Sequence, residues 1–343
     1  DAMGIGHGDE VVVNAGTCAV VPAAIIRVGA RPVYSDVDVD TFGSSPEAID
    51  SVITRRTRAV VAQHSFGLPC RINEIAAIAA SHGVSLIEDC ALTLGSRVDG
   101  AVVGSFGRVA IYSFDHTKPI NAMIGGLAVT SDRDLAERIR QRQASAAALS
   151  ADHQTALWRA FRRERIMCRP RLEGLNPTRD TIAYALTRVR ERGPSYLNAD
   201  DDPKPHRRYP YPAKMPAFVA ALALLELAKW EAVSAHRVDV ASRVIELLQS
   251  TAGVELPPGY ADDGVVPLRV AWADPDGKRV RENLMRHFRS EHTWFLSPIV
   301  ATGRPLADLG YVGGCCPTAE LIGPRMVNIP CNVPRESVNQ MLS

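Results

Sequence analysis

The chain has 343 residues, of which 46% are hydrophobic and 22% are charged, and its formal net charge at pH 7 is +1. This balance is typical of a globular protein long enough for two domains, and it excludes a general electrostatic attraction to nucleic acid or to an anionic membrane. No apolar run approaches the roughly 20 residues of a membrane-spanning helix. We therefore predict a cytoplasmic protein with no nucleic-acid partner and no membrane span.

Seven cysteines are spread along the sequence without a C-x-x-C pair. This spacing predicts reduced thiols, and neither a disulfide framework nor a metal site. The first residue is Asp1 rather than methionine, and the opening segment resembles the end of a helix running into a turn. We therefore expect the natural N-terminus to be missing.

Short β-like runs alternate with helical patterns in the first part of the chain. The strand candidates are apolar and rich in Val and Ile, at 10–13, 32–34, 59–62 and 84–87, and the helix candidates between them are 19–28, 45–53 and 72–81. Ser45 before Pro46 is a helix-start signal, and Gly83 stands where a helix should end. The alternation predicts an α/β fold with a mostly parallel sheet flanked by helices and a smaller C-terminal α+β domain.

Four regions follow from these patterns. We predict a large domain over 1–143, an irregular Arg- and Pro-rich insertion over 144–213, a long connecting helix over 214–248 and a small domain over 249–343. Strand candidates in the small domain are 265–270, 293–295 and 326–330. The arginines of the insertion could meet a diphosphate or an anionic surface, but such charge runs are more often a solvated or inter-subunit face.

One lysine is distinguished by its context. Lys118 follows the apolar run 109–114 and precedes the Gly125–Gly126 turn, while Asp89 ends the preceding apolar run. A lysine and an aspartate at strand ends are the minimum equipment for holding pyridoxal phosphate (PLP), because the lysine forms the Schiff base and the aspartate keeps the pyridine nitrogen protonated. We predict Lys118 as the catalytic residue and Asp89 as a cofactor-binding residue. The alternatives are a surface lysine and a helix-capping aspartate.

Three further side chains are candidates for binding the cofactor. Ser113 could donate a hydrogen bond to the phosphate, or it could be an ordinary strand-end hydroxyl. Thr17 is predicted to open the first complete helix, where it could bind the phosphate, cap the helix or do both. His64 could lie beside or over the cofactor ring, or it could be a hydrogen-bonded structural residue. His116 is a weaker candidate for a proton shuttle, since Lys118 itself is the expected base.

Several short motifs occur in a characteristic order. They are Asp-Glu-Val-Val-Val at 9–13, His-Ser-Phe-Gly at 64–67, Ile-Glu-Asp-Cys-Ala at 87–91, Gly-Ser-Phe-Gly at 104–107 and the segment 113–126. Together they make the chain resemble the DegT/StrS-type sugar aminotransferases, which are PLP enzymes of the aspartate aminotransferase fold. The resemblance is dense over 4–141 and returns near 214–215 and within 316–330.

This resemblance implies a homodimer with active sites at the subunit interface. It also implies L-glutamate as the amino donor and a nucleotide-linked keto sugar as the acceptor, in glycan or secondary-metabolite biosynthesis. By position, Lys118 corresponds to the Schiff-base lysine, Asp89 to the partner of the pyridine nitrogen and Ser113 to a phosphate ligand.

The sequence departs from the family pattern within the site. Cys18 stands where the family has a stacking aromatic ring, Leu92 where it has Gln, and Ile124 where it has Glu; Pro212 and Lys214 stand where the partner subunit offers Asn and Arg. Each such contact is worth about 1 kcal/mol, and about 1.4 kcal/mol is tenfold in affinity. An alternative is therefore a non-catalytic or regulatory homologue that keeps the fold around an eroded cofactor pocket. A sugar dehydratase of the same fold is disfavoured, because those enzymes replace the lysine with His.

Overall fold

A computed structural model describes residues 1–167, 212–250, 253–287, 294–300, 302 and 304–342 of the protein. Most of the predicted insertion, residues 168–211, lies outside the described residues. Within the described ranges, none of the helices combines the length and the apolar character needed to cross a bilayer.

A six-stranded sheet forms the centre of the large domain, in the order β3-β1-β4-β5-β8-β9. The first five strands in this order are parallel, and β9 is antiparallel to β8. The strands are β1 Glu10–Asn14, β3 Arg31–Ser35, β4 Thr57–Gln63, β5 Ser85–Asp89, β8 Val109–Ser113 and β9 Gly126–Val129. The predicted fold class is confirmed.

Strand β1 explains why helices cover both faces of this sheet. Its side chains alternate between the two faces, and all five residues are buried. Val11 and Val13 pack in one apolar cluster with helix α1 (Val20–Arg27). Val12 packs in a second cluster with helices α2 (Pro46–Val52) and α3 (Ile72–Ser81).

The predicted helix ends are confirmed at two positions. The hydroxyl oxygen of Ser45 accepts a hydrogen bond from the Ala48 N–H at 3.2 Å, at the start of α2. Helix α3 ends at Ser81 with His82 as its C-cap, and Gly83 follows with a φ of 65°, a backbone conformation that glycine adopts without strain.

The small domain is built around an antiparallel pair, β12 (Arg269–Ala273) and β14 (Met326–Pro330). Its helices are α7 Trp230–Gln249, α8 Gly277–His287 and α10 Arg335–Leu342. Trp272 is 1% exposed and lies in a cluster with Val240 and Val244 of α7. The cluster is separate from the two that cover the central sheet, which is the α+β arrangement expected for this region.

The remaining elements are short or peripheral. They are strands β2 Thr17–Cys18, β6 Arg97–Val98, β7 Ala101–Val102, β10 Ala147–Ala148, β11 Ala213–Lys214 and β13 Ile299–Val300, helices α4 Arg133–Ser145, α5 Ala151–Met167, α6 Ala217–Leu227 and α9 Pro317–Ile322, and 3-10 helices Pro258–Ala261, Leu306–Leu309 and Gly323–Arg325. Strand β13 pairs in parallel with β2, so the C-terminal part of the chain directly contacts the segment that follows β1.

The connecting helix differs from the prediction, because the chain forms two helices here, α6 and α7. The helix breaks at Ala228–Lys229, where Lys229 has φ −96° and ψ 1°. Beyond the break, Trp230 lies against Gly95 of the large domain, where an added Cβ would be 3.0 Å from the indole Nε1. Since neither Pro nor Gly marks the break, the local sequence gives no signal for it.

The structure also differs from two of the strands predicted in the small domain. The predicted strand 265–270 begins only at Arg269. Trp294 and Phe295 form part of a turn, and Phe295 has a φ of 61°, which is incompatible with an extended strand. The strand of this segment is β13, four residues further along the chain.

Candidate active site

The candidate residues gather at the carboxyl ends of the central strands. Asp89 ends β5, where it pairs with Gln63 of β4 and Ile111 of β8, and Ser113 ends β8. Lys118 follows β8 in a turn, in which its backbone N–H donates to the Asp115 carbonyl at 3.0 Å. This is the edge at which open parallel sheets bind ligands.

Lys118 is half-buried and contacts an aromatic ring from the small domain. Its Nζ lies 4.8 Å from the centre of the Trp294 ring, and the guanidinium carbon of Arg269 lies 4.4 Å from the same centre. A cation this close to an indole face is stabilised by the ring electrons. Trp294 was not identified from the sequence, because a single Trp in an apolar segment has no distinguishing local pattern.

Asp89 is a buried carboxylate with one hydrogen bond from the backbone. It is 5% exposed, and its Oδ1 accepts from the Ala91 N–H at 2.9 Å, the capping contact considered as an alternative role. Burial raises the pKa of Asp89, although this N–H and the charge of Lys118 act in the opposite direction. A nearby cationic partner would stabilise its ionised form.

Glu88 immediately precedes Asp89 and projects to the opposite face of the sheet, as neighbours in a strand do. It is fully buried and accepts hydrogen bonds from the backbone N–H groups of Gly104 (2.8 Å), Phe106 (2.7 Å) and Gly107 (2.6 Å). Burial alone would raise the pKa of Glu88, but hydrogen bonds from His64 and from this loop hold it below its ordinary value. Glu88 therefore anchors the loop between β7 and β8.

His64 is fully enclosed beside Glu88, on the side of β5 away from Asp89. Its Nδ1 accepts from the Cys70 N–H at 3.1 Å, and its Nε2 lies 3.4 Å from the Glu88 carboxylate. The first contact fixes the proton of a neutral ring on Nε2, facing Glu88. The backbone N–H of His64 donates to the Asp89 carbonyl at 3.2 Å, so His64 touches Asp89 through its main chain.

The ligand atoms of His64, Glu88 and Cys90 lie within 4.8 Å of one another, a spacing that a metal ion could bridge. However, Glu88 already accepts from three N–H groups, and burial raises the pKa of the Cys90 thiol. A thiol must lose its proton to bind a metal. The cluster is better described as a hydrogen-bonded network that joins three segments of the large domain.

Thr17 lies in strand β2 and not at a helix start. Helix α1 begins at Val20 after Ala19, so the expectation that Thr17 opens this helix is wrong. The pairing of β2 with β13 draws the segment into an extended form, which no local signal predicts. The Thr17 hydroxyl is buried and has no hydrogen-bond partner within the described part of the chain. Such an atom costs about 1–3 kcal/mol unless a ligand or water supplies a partner.

Ser113 and the residues after it form a local polar group. The Ser113 hydroxyl oxygen accepts from the Asp115 N–H at 3.4 Å, which leaves its own O–H able to donate. His116 is exposed, and its Nδ1 lies 2.9 Å from the Asp115 carboxylate. Burial would raise the pKa of Asp115, but His116 and Lys118 lower it.

The departures from the family pattern make the site more apolar. Leu92 is 5% exposed and lies in a cluster with Phe66 and Phe295, and Ile124 packs against the cluster at the start of α6. Cys18 is half-buried, and burial raises the pKa of its thiol against the charge of Lys118. Pro212 and Lys214 are both exposed.

The polar groups of the site fit PLP. Lys118, whose charge acts on the buried Asp89 carboxyl with its raised pKa, and the Thr17 hydroxyl, which has no partner among the described residues, suit a group that carries a cationic nitrogen and anionic oxygens. The residues present therefore fit PLP, although Cys18 and Leu92 offer it neither an aromatic face nor an amide.

Comparison with known proteins finds a family model that matches the first part of the chain. The model of the DegT/DnrJ/EryC1/StrS aminotransferase family matches residues 1–161. A pleiotropic regulatory protein of Geobacillus stearothermophilus is 40% identical over 140 residues, which are 40% of this chain and 38% of that protein. A UDP-N-acetyl-3-dehydro-alpha-D-glucosamine 3-aminotransferase of Acidithiobacillus ferrooxidans is 40% identical over 140 residues, with the same coverage.

A solved structure has a similar fold. The crystal structure of a DegT DnrJ EryC1 StrS aminotransferase from Brucella abortus has a TM-score of 0.72 and 21% identity, and the match covers 99% of this chain and 79% of that one. At this identity the likeness concerns the fold alone. The matches to both curated relatives span less than two fifths of their length, 38% in each case.

Proposed function

We propose that the protein is a PLP-dependent aminotransferase, because residues 1–161 match the model of the DegT/DnrJ/EryC1/StrS aminotransferase family. The reaction transfers an amino group from L-glutamate to a nucleotide-linked keto sugar. The observation that carries this proposal is the placement of Lys118 close to the buried Asp89 carboxyl at the carboxyl ends of β5 and β8.

Each candidate residue has a role that follows from its surroundings. Bound PLP supplies an electron sink for the bond-breaking step. Lys118 would hold the cofactor covalently and would act as the base that moves a proton from the α-carbon of the donor. Asp89 would keep a proton on the cofactor's ring nitrogen, and the hydroxyls of Ser113 and Thr17 would donate to its phosphate. His64 positions Asp89 through its backbone N–H.

The small domain closes the site on the side of Lys118. Trp294 lies over the lysine, and the cluster of Leu92, Phe66 and Phe295 lies in the same region. These side chains exclude water, which strengthens the interaction between Lys118 and Asp89. An apolar wall is therefore compatible with proton transfer by Lys118, even though the family's polar contact at Leu92 is lost.

A homodimer is part of the proposal. Helix α6 exposes Leu224, Leu225 and Leu227 by 67%, 59% and 50%, and strand β9 exposes Leu127 and Val129 at the sheet edge. An exposed sheet edge and an apolar helix face are surfaces that a second copy of the chain can cover. The cysteines of the described ranges are free thiols, in keeping with a cytoplasmic location.

A second candidate function is a regulatory protein that has lost efficient catalysis. Cys18 and Leu92 favour it, because each removes a side chain that would hold the cofactor. The regulatory name of the Geobacillus relative is consistent with it. Under this proposal the same fold acts through binding, and Lys118 and Asp89 are remnants of the site.

The visible absorbance spectrum of the protein with PLP distinguishes the catalytic function from the regulatory one. The catalytic proposal predicts a band for PLP bound to Lys118 that changes when L-glutamate is added. Lys118→Ala should abolish the band, whereas the exposed Lys278→Ala should keep it. A band that persists in Lys118→Ala would contradict the assignment of the lysine. The absence of any band at saturating PLP would favour the regulatory function.

A further inference from the structure

Two adjacent cysteines lie close together in the loop before helix α9. The sulfur atoms of Cys315 and Cys316 are 3.7 Å apart. Neighbouring side chains of an extended chain point to opposite sides, so this proximity is a property of the local turn. In that turn the Cys315 N–H donates to the Val312 carbonyl at 3.2 Å, and Gly314 has a φ of 85°.

The two thiols differ in their access to solvent. Cys315 is exposed, whereas Cys316 is 0% exposed and packs in the apolar cluster beside the central sheet. Burial, followed by the neighbouring Cys315, raises the pKa of the Cys316 thiol. A dissolved reagent therefore meets Cys315 first, and Cys316 remains a thiol within van der Waals distance behind it.

The loop has room for the two sulfur atoms to move closer. An added Cβ at Gly313 or Gly314 would meet no atom within 4 Å, so this part of the turn is surrounded by open space. On the other side the chain is fixed, because Cys316 is the N-cap of α9 and the N–H groups of Thr318 and Ala319 donate to the Asp36 carboxylate at 2.8 and 2.9 Å. The Gly314 N–H donates to the Glu320 carboxylate at 2.7 Å, so movement is expected mainly from the exposed Cys315 and from Gly313.

We propose that Cys315 and Cys316 form a redox-modification site, which closes to a disulfide between adjacent residues when a hydroperoxide oxidises it. The Cys315 thiolate attacks the peroxide, the O–O bond breaks, and Cys315 becomes a sulfenic acid while water or an alcohol leaves. The Cys316 sulfur then attacks the Cys315 sulfur, the S–O bond breaks and water leaves. The two thiols together lose two protons and two electrons, which reduce one peroxide.

This site is independent of the proposed aminotransferase function, because neither cysteine contacts Lys118 or Asp89 in the contacts described above. Disulfide formation protects Cys315 from irreversible oxidation. A sulfenic acid with a thiol beside it condenses to a disulfide that a reductant can reverse, whereas an isolated sulfenic acid is oxidised further to sulfinic and sulfonic acids. Cys315 needs this protection because its exposed thiol is accessible to dissolved peroxides.

Mass spectrometry of the oxidised protein tests the proposal. After hydroperoxide treatment, unfolding and alkylation with iodoacetamide, the tryptic peptide ending at Arg325 contains these two cysteines and no other. We expect it to lack two hydrogen atoms and to carry no alkyl group, and dithiothreitol should restore two alkylation sites. A wild-type peptide with Cys315 as sulfinic or sulfonic acid and Cys316 alkylated would overturn the proposal, as would a bond to a cysteine of another peptide.

Two variants sharpen the result. In Cys316→Ala, the same treatment should drive Cys315 to the irreversible acids. Because Cys316 is buried and this change could unfold the protein, the exposed Cys315→Ser is the second variant, in which Cys316 should remain alkylatable after unfolding. Phenylarsine oxide binds tightly to two neighbouring thiols. It should therefore bind the Cys315–Cys316 segment of the reduced wild-type protein and not the same segment of the Cys315→Ser protein. Equal binding to both forms would contradict the pairing of these thiols.

Discussion

The two sides of strand β5 present adjacent carboxylates in opposite situations. Glu88 and Asp89 are both buried, at 0% and 5% exposure. Glu88 accepts three backbone N–H bonds and lies beside His64, whereas Asp89 accepts one backbone N–H bond and is within range of the charge of Lys118. The pKa of Glu88 is lowered despite burial, and burial raises that of Asp89.

The difference shows that the hydrogen-bond donors around a carboxylate, and not its burial alone, decide how well the fold stabilises its charge. Glu88 has its charge balanced by the fold, so it holds the loop from Gly104 to Gly107 and contributes to stability. Asp89 keeps an ionised form that the fold alone stabilises poorly. A cationic group bound beside Asp89 would stabilise the ionised carboxylate and would itself be stabilised by it.

The largest expected effect is on the Glu88 side. Glu88→Ala should lower the free energy of unfolding by about 3–5 kcal/mol, because it leaves three partly buried backbone N–H groups without their acceptor and removes the carboxylate beside the buried His64. Urea denaturation measures this change. The exposed Glu255→Ala is the matched control and should stay within about 0.5 kcal/mol of the wild type. Equal losses in the two variants would contradict a structural role for Glu88.

The next effect distinguishes the two carboxylates by pH. A raised pKa in the folded state means that stability falls as pH increases from the ordinary Asp value of about 3.9, so Asp89→Asn should raise the unfolding temperature of the PLP-free protein at neutral pH. Glu88→Gln should lower it there, because the depressed pKa of Glu88 stabilises the fold above the ordinary Glu value of about 4.3.

The Asp89→Asn difference should shrink as the pH falls towards the ordinary Asp value, because the carboxyl with the raised pKa becomes protonated in the folded state there. The Glu88→Gln difference should shrink only below the ordinary Glu value, because the depressed pKa keeps Glu88 ionised in the folded state to lower pH. Thermal unfolding of the three proteins across the acid range provides the measurement. If Asp89→Asn destabilised the protein at neutral pH, as Glu88→Gln is expected to do, the opposite pKa shifts of the two carboxyls would be contradicted.

The smallest expected effect concerns the ligand side of β5 and rests on the proposed cofactor. Cys18→Phe restores an aromatic ring near Lys118 and should tighten PLP binding about fivefold, since a stacking contact is worth about 1 kcal/mol. Titration of PLP absorbance measures the affinity, with Cys18→Ala as the control for removing the thiol. Identical affinities in the two variants would show that no ring stacks at this position.

Much of the large domain was predictable from local pattern. The apolar runs that became β1, β3, β4 and β5 and the cap at Ser45 were read correctly, because each is encoded in consecutive residues. The position of Asp89 and Ser113 at strand ends follows from the same patterns. Lys118 was selected by its flanking strand and glycines, and its roles remain proposals.

Other features depend on contacts between residues far apart in the chain. Thr17 is extended because β13 pairs with β2, and the predicted connecting helix is broken where Trp230 meets Gly95. The contact of Trp294 with Lys118 joins the two domains. None of these has a signal in the neighbouring sequence.

The sequence by itself determined that this protein is an α/β chain with Asp89 at the end of one strand and Lys118 shortly after another, because periodicity and turn residues act over a few neighbouring positions. Only the tertiary structure decided which of two adjacent carboxylates is satisfied, since the donors on Glu88 come from a loop sixteen or more residues away. The alternation of side chains along a strand places Glu88 and Asp89 on opposite faces of the sheet, but the hydrogen-bond partners on each face depend on how the whole chain packs.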